Sequence, residues 1–155
     1  GAARRRWAGV RLTAVVPRPL LFDTTVLIGV VRNPARVPAL RRAASRHGYL
    51  TSVTVAELLA GSRTPRQSLL IDQLASLFER NGRLLVPVAA EWSATGRLIA
   101  RAIWRRGAME PRDHYPDVLI ALAASRIGAA ILTDNADDFR AWIVSGSLDA
   151  TVPRV

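Results

Sequence analysis

The chain has 155 residues, half of them hydrophobic and 22% charged, which suits one domain with a real core and excludes a chain disordered as a whole. Its 22 basic residues are all arginine and face only 12 acidic ones, so the +10 balance favours an acidic partner such as nucleic acid, an anionic membrane or an acidic protein. Cysteine is absent, which excludes a disulfide framework and a thiolate metal site and fits a reducing, cytoplasmic setting. No apolar run approaches the roughly 20 residues a membrane span needs.

Residues 1–18 carry Arg4, Arg5 and Arg6 before a mildly apolar stretch that Arg11, Pro17 and Arg18 interrupt, so they read as a basic extension rather than a signal sequence. The domain proper is expected over 19–155. Residues 19–22 form a short apolar run that predicts a buried strand ending at Asp23. A helix follows over 24–31, limited by Pro34 and Pro38, and a second, arginine-rich helix over 39–46 is closed by Gly48. A strand at 49–52 leads into a helix at 54–60 that Gly61 stops. Residues 65–80 repeat Leu69, Leu70, Leu74, Leu77 and Phe78 at helical spacing, and Asn81-Gly82 ends that helix. A strand at 83–88 precedes an amphipathic helix at 89–106 bearing Trp92, Ile99, Ile103 and Trp104. After a polar loop at 112–115, residues 116–127 have almost no polar face and predict a buried helix. A strand at 129–133, a short helix at 137–143 and a last strand at 150–153 complete the pass. Strands alternating with helices predict an α/β fold, a three-layer α/β/α sandwich around a central parallel sheet.

The acidic residues fall at meaningful places on that plan. Asp23 follows the first strand, and Glu57 lies in the helix after the second. Asp117 opens the buried helix, while Asp134, Asp137 and Asp138, with Asn135, follow the strand that ends at Thr133. Ligands of an open parallel sheet bind beyond the carboxyl ends of its strands, which is where these groups should gather. Clustered carboxylates raise one another's pKa, and a divalent cation relieves that repulsion. A site of acids without His or Cys suits Mg²⁺ or Mn²⁺, and paired ions of this kind cut phosphodiesters.

Singly, each acid has a plainer explanation. Asp117 could favour a helix dipole, and Asp134 or Asp137 could be an N-cap. Glu57 and Asp23 are harder to explain that way, because Val55-Ala56-Glu57-Leu58-Leu59 and Leu20-Leu21-Phe22-Asp23 place each among apolar neighbours.

Four segments carry a resemblance. They are Leu21-Phe22-Asp23-Thr24-Thr25-Val26-Leu27-Ile28, Ser52-Val53-Thr54-Val55-Ala56-Glu57-Leu58-Leu59-Ala60-Gly61, Asp117-Val118-Leu119-Ile120-Ala121-Leu122-Ala123-Ala124 and Thr133-Asp134-Asn135-Ala136-Asp137-Asp138-Phe139. In this order and spacing the chain after Pro19 resembles the PIN-domain family, and its size and apolar flanks are most similar to VapC-type toxins. The resemblance implies a Mg²⁺-dependent endoribonuclease that stops translation by cutting tRNA or ribosomal RNA. It implies a VapB-type antitoxin partner, a homodimer or toxin–antitoxin hetero-oligomer, operator DNA bound only through the antitoxin, and no membrane. It assigns catalysis and metal binding to Asp23, Glu57, Asp117 and Asp138, with Asn135, Asp134, Thr24 and Thr133 assisting and Thr25 as a further supporting hydroxyl. Asp23 and Asp117 would be the direct ligands of a first metal, Glu57 would hold metal or orient the attacking water, and Asp138 would serve a weaker second ion. Arg63, Arg66, Arg105, Arg106 and Arg112 are candidates for holding RNA phosphates, with plain solvation as the alternative for each.

Other readings remain open at this point. A PIN-type module could bind RNA or protein without cutting, though the intact acid set speaks against it. A PIN nuclease could act in RNA processing without an antitoxin. A phosphatase of the haloacid dehalogenase kind would need a second Asp where Thr25 stands, and no glycine-rich phosphate loop follows any strand.

Overall fold

The computed structural model describes residues 18–153, and the arginine-rich start that the sequence assigns to a basic extension lies, apart from Arg18, outside the described residues. Four strands build the sheet: β1 (Leu20–Phe22), β2 (Gly48–Thr51), β3 (Leu84–Leu85) and β4 (Ala130–Leu132). All pair in parallel, in the order β3-β2-β1-β4. Seven α-helices surround them among the described residues: α1 (Thr24–Arg32), α2 (Val37–Arg46), α3 (Ser52–Ala60), α4 (Pro65–Arg80), α5 (Ala89–Arg106), α6 (Tyr115–Ile127) and α7 (Ala136–Gly146).

The three layers follow from strand alternation. Successive side chains of a strand point to opposite faces, so neighbours in sequence enter different cores. Leu21, Tyr49, Leu85 and Ile131 pack with α5, α6 and α7 on one side. Phe22, Leu50, Leu84 and Leu132 pack with α1, α3 and α4 on the other. Both faces of the sheet are covered, as parallel sheets require.

Helix α6 meets the expectation of burial: Val118, Leu119, Ile120, Ala121, Ala123 and Ala124 are all enclosed. Gly128, at φ 62°, stops it in a left-handed C-cap and turns the chain into β4. Beside α6 lies α5, fixed by Glu91. Its carboxylate accepts the Val88 backbone N–H at 3.2 Å and meets Arg126 Nε at 2.7 Å. Arg126 Nη2 also donates to the Val86 carbonyl at 3.0 Å. The start of α5 therefore sits against the end of α6, the two helices run antiparallel, and the end of α5 returns to the edge of the sheet where α6 begins.

Several boundaries differ from the sequence expectation. The strand predicted over 83–88 pairs only at Leu84–Leu85. Pro87 has no N–H to give a ladder, and Val86 and Val88 are exposed on this edge of the sheet. The strand predicted over 150–153 is one parallel bridge from Thr151 to Ala130. Helix α2 begins at Val37 and not at 39, because a proline fits the first turn of a helix and Pro38 falls there. On α5 the buried stripe is Glu91, Thr95, Leu98, Ile99 and Ala102. At 3.6 residues per turn Trp104 leaves the helix on the opposite side and is 80% exposed. Among the described residues no helix is long and apolar enough to cross a membrane.

Candidate active site

Asp23 stands where β1 ends between two partners. Its backbone N–H donates to the Leu132 carbonyl at 3.0 Å, which carries the β1–β4 ladder one residue past the end of β1. It is also the N-cap residue of α1, with extended φ and ψ of −80° and 159°, yet its side chain makes no capping bond. The carboxylate is spent elsewhere. Thr25 Oγ1 donates to Asp23 Oδ2 at 2.9 Å, and Thr133 Oγ1 donates to the same oxygen at 2.8 Å. Each hydroxyl has a single proton, so the 3.4 Å approach of the two threonine oxygens is not a third bond between them. Their lone pairs instead accept backbone N–H groups, Asp134 onto Thr25 at 3.0 Å and Asn135 onto Thr133 at 2.9 Å. The loop from β4 into α7 is thereby tied to Asp23. Oδ2 is saturated, and Oδ1 is left for a ligand. Asp23 is only 2% exposed.

The other acids converge on it. Helix α3, capped where Thr51 Oγ1 accepts the Thr54 N–H at 3.0 Å, carries Glu57 toward the first turn of α1. There Thr24 Oγ1 donates to Glu57 Oε1 at 2.7 Å. Burial pushes the Glu57 carboxyl above its ordinary value; the Thr24 bond opposes this and the charge of Asp23 adds to it.

Asp117 lies in the first turn of α6, where a helix dipole alone would lower its pKa. The opposite happens. Burial, and then the charges of Asp23, Glu57 and Asp138, push it up to about 7. That outcome argues against a simple dipole role. It also identifies Asp138 as the α7 acid whose charge reaches Asp117. Asp137 points away to pair with Arg140 at 3.2 Å. Asn135 occupies the N-cap position of α7 without a side-chain capping bond.

These four carboxylates come from the end of β1 and from α3, α6 and α7. Among the described residues none of them is ion-paired with an arginine, whereas Glu91 and Asp137 are. Nor, among the described residues, do three acidic or imidazole side chains stand close enough to enclose one ion unaided. Mg²⁺ needs no such cage: it keeps several waters and is held by one or two carboxylates plus substrate phosphate. The donors are oxygen only, and their mutual repulsion is uncompensated. Both facts fit a hard divalent cation.

The candidate arginines divide by location. Arg63 lines a groove of about 270 Å³ together with Glu57. Arg66 lines a neighbouring groove of about 520 Å³. Arg105 and Arg106 line a separate cleft between α5 and α7, and Arg112 lies in the short 3₁₀ turn before α6. Arg32, which joins both of the first two grooves, is not signalled by the acid pattern. Its i+4 spacing through Thr24, Ile28 and Arg32 on α1 is the clue that would have found it.

Replacing Thr133 with Val removes a donor from Asp23 and an acceptor from the Asn135 N–H while keeping the side chain's shape. We expect a stability loss of about 1–2 kcal/mol and a larger proportional loss of any activity that depends on Asp23. A Thr133→Ser variant should restore both. Thermal melts and turnover measured side by side would check this, and a Ser variant as poor as Val would show that the hydroxyl is not what matters.

No protein-family model matches this sequence, and no curated protein matches it. Solved structures do. DNA-bound VapBC from Salmonella typhimurium aligns with a TM-score of 0.60 at 22% identity, over 79% of this chain and 91% of that one. FitAB bound to an IR36 DNA fragment aligns with a TM-score of 0.55 at 19% identity, over 86% and 94% of the two chains. FitAcB from Neisseria gonorrhoeae gives 0.55 at 19% identity, over 85% and 96%. At these identities the likeness is one of fold, and it extends across nearly the whole of each matched chain.

Proposed function

We propose that this chain is a divalent-metal-dependent endoribonuclease and the toxin of a toxin–antitoxin pair, cutting structured RNA such as tRNA or rRNA in the cytoplasm and so inhibiting translation. The observation that carries the reading is the convergence of Asp23, Glu57 and Asp138 on Asp117, whose carboxyl they help to push up to about 7. A fold does not leave four like charges unneutralised at the mouth of its sheet without cost, and clusters of this kind mark functional sites.

Asp23 Oδ1 and Asp117 would hold Mg²⁺, or Mn²⁺ in its place, with Glu57 and Asp138 completing the acidic surround. Bound there, the ion would polarise the scissile phosphate and lower the pKa of a water, making hydroxide available as the nucleophile. The chain's own groups do the positioning. Thr25 and Thr133 fix the orientation of Asp23, and Thr24 fixes Glu57 through Oε1. That leaves Glu57 Oε2 placed to receive the proton of the attacking water. The +10 charge of the chain draws the phosphate backbone toward this edge.

The partner reading leans on the solved structures it resembles, which are two-component assemblies, two of them described as bound to DNA. By that analogy this chain pairs with a VapB-type antitoxin, forms a homodimer or a toxin–antitoxin hetero-oligomer, and meets operator DNA only through the antitoxin.

The test is cleavage of total cellular RNA by the purified chain with Mg²⁺, with Mn²⁺ and with EDTA, beside an Asp23→Asn variant. Discrete fragments are expected with either metal and with neither EDTA nor the variant. Intact RNA in every lane, from protein with a cooperative melt, would defeat the nuclease reading.

A further inference from the structure

The acid site explains the carboxylates of this molecule but not where its cations stand. Between the end of α5 and the middle of α7 lies a cleft of about 330 Å³, lined by Arg105, Arg106, Arg140 and Ser145 over a floor that includes Trp142. Three guanidiniums share it. One of them, Arg140, pairs with Asp137 at 3.2 Å, but Asp137 is fully exposed and such a contact holds weakly. Among the described residues no carboxylate pairs with Arg105 or Arg106. Their place in the last turn of α5 suits that helix's dipole. It does not account for Arg140, which sits mid-way along another helix.

A bank of guanidiniums in a surface cleft, two of them without a carboxylate partner among the described residues, suits a nucleic-acid backbone, each planar fork gripping phosphate oxygens. The position fits as well. Because α5 runs antiparallel to α6, its C-terminus lies at the end where α6 presents Asp117. On α7, Arg140 lies two positions after Asp138 and so leaves the helix on nearly the opposite side. The cleft thus shares an end of the fold with the carboxylates but lies across α7 from Asp138.

We propose that the α5–α7 cleft is an RNA subsite in which Arg105, Arg106 and Arg140 hold backbone phosphates of a single strand flanking the scissile bond. The identity of the strand rests on the nuclease reading above; the cationic cleft does not.

The experiment measures binding and cleavage separately. In protein carrying Asp117→Asn, so that nothing is cut, affinity for a labelled single-stranded RNA oligonucleotide is followed by anisotropy across a salt series. The triple variant Arg105→Ala, Arg106→Ala, Arg140→Ala should bind at least about tenfold more weakly at low salt. Its log–log salt dependence should be shallower by about 2, since each single-strand phosphate contact contributes roughly 0.7. Affinity and slope unchanged in a triple variant that melts normally would overturn the proposal. A triple variant that changes sedimentation but not RNA affinity would overturn it too, assigning the cleft to contacts between copies. If the unmodified chain cleaves no RNA with Mg²⁺ or Mn²⁺, the nuclease reading fails, and the anisotropy result still decides the cleft.

Discussion

Asp117→Asn is expected to abolish RNA cleavage and, in the absence of metal, to make the protein more stable at neutral and higher pH. The loss of activity should be at least about 100-fold, as for removal of a group that stabilises charge at the reacting phosphate. The gain in stability follows from the repulsion the site stores. In the unfolded chain Asp117 titrates near its ordinary value of 3.8, whereas burial and the charges of Asp23, Glu57 and Asp138 push it up to about 7 in the fold. Between those values the folded protein binds more protons than the unfolded one. Stability therefore falls as pH rises from about 4 to about 7 and then levels off. Glu57, also raised, adds to the fall in the same direction. Asn carries no charge, so the variant should show a flatter profile and, in EDTA, melt a few degrees above the unmodified chain at pH values above 7. Mg²⁺ should raise the melting temperature of the unmodified chain more than that of the variant, because a bound cation removes the repulsion that Asn has already removed. Thermal melts across pH with EDTA and with Mg²⁺, next to the cleavage assay, read both halves. A variant that is inactive and also less stable in EDTA at high pH would mean that Asp117 is a structural residue and its charge is not strained.

Such a trade between stability and chemistry makes the acids legible in the sequence. Asp23 and Glu57 interrupt apolar runs where a charge has no ordinary reason to stand, and that anomaly is visible in one dimension. Their closeness is not. Thr133 and Asp23 are 110 positions apart, and they touch only because β4 lies beside β1 in the order β3-β2-β1-β4. Parallel neighbours are joined by long crossovers, and nothing in the composition of a strand says which other strand it will lie against. The fourth acid was ambiguous for a related reason. Asp134, Asp137 and Asp138 are nearly adjacent in sequence, and only the start of α7 at Ala136 decides which of them turns inward toward Asp117 and which pairs with Arg140. The layers of the fold were legible because alternation along short strands demands two cores. Strand ends were less so. Leu84 to Val88 reads as one apolar run, but Pro87 and the exposure of an edge cut the ladder at Leu85. Trp104 belongs by sequence to the amphipathic segment 89–106, and only the phase of the helix places it outside the core.

Phe78→Ala should produce the reverse signature, with large instability and preserved chemistry. Phe78 is wholly buried on α4 and meets Phe22 edge-to-face, with ring centroids 6.3 Å apart and planes at 77°. Deleting the ring removes its transfer energy and leaves a cavity that the short β1 cannot collapse to fill, at a cost of about 3–5 kcal/mol. That is a large share of the roughly 5–15 kcal/mol that holds a domain together. It should appear as a lower denaturation midpoint in guanidinium with little change in slope. Phe22 immediately precedes Asp23, so a disturbance has a short path to the site. The path is blunted by three hydrogen bonds that hold Asp23 and do not involve the Phe78 ring, from its own N–H to the Leu132 carbonyl and from the hydroxyls of Thr25 and Thr133. Activity per folded molecule, measured well below the lowered melting temperature, should therefore stay within a few-fold of the unmodified chain. A Phe78→Ala protein that melts normally but has lost activity would reverse the assignment, making the α4 core part of what positions Asp23 and the threonine pair insufficient to do so.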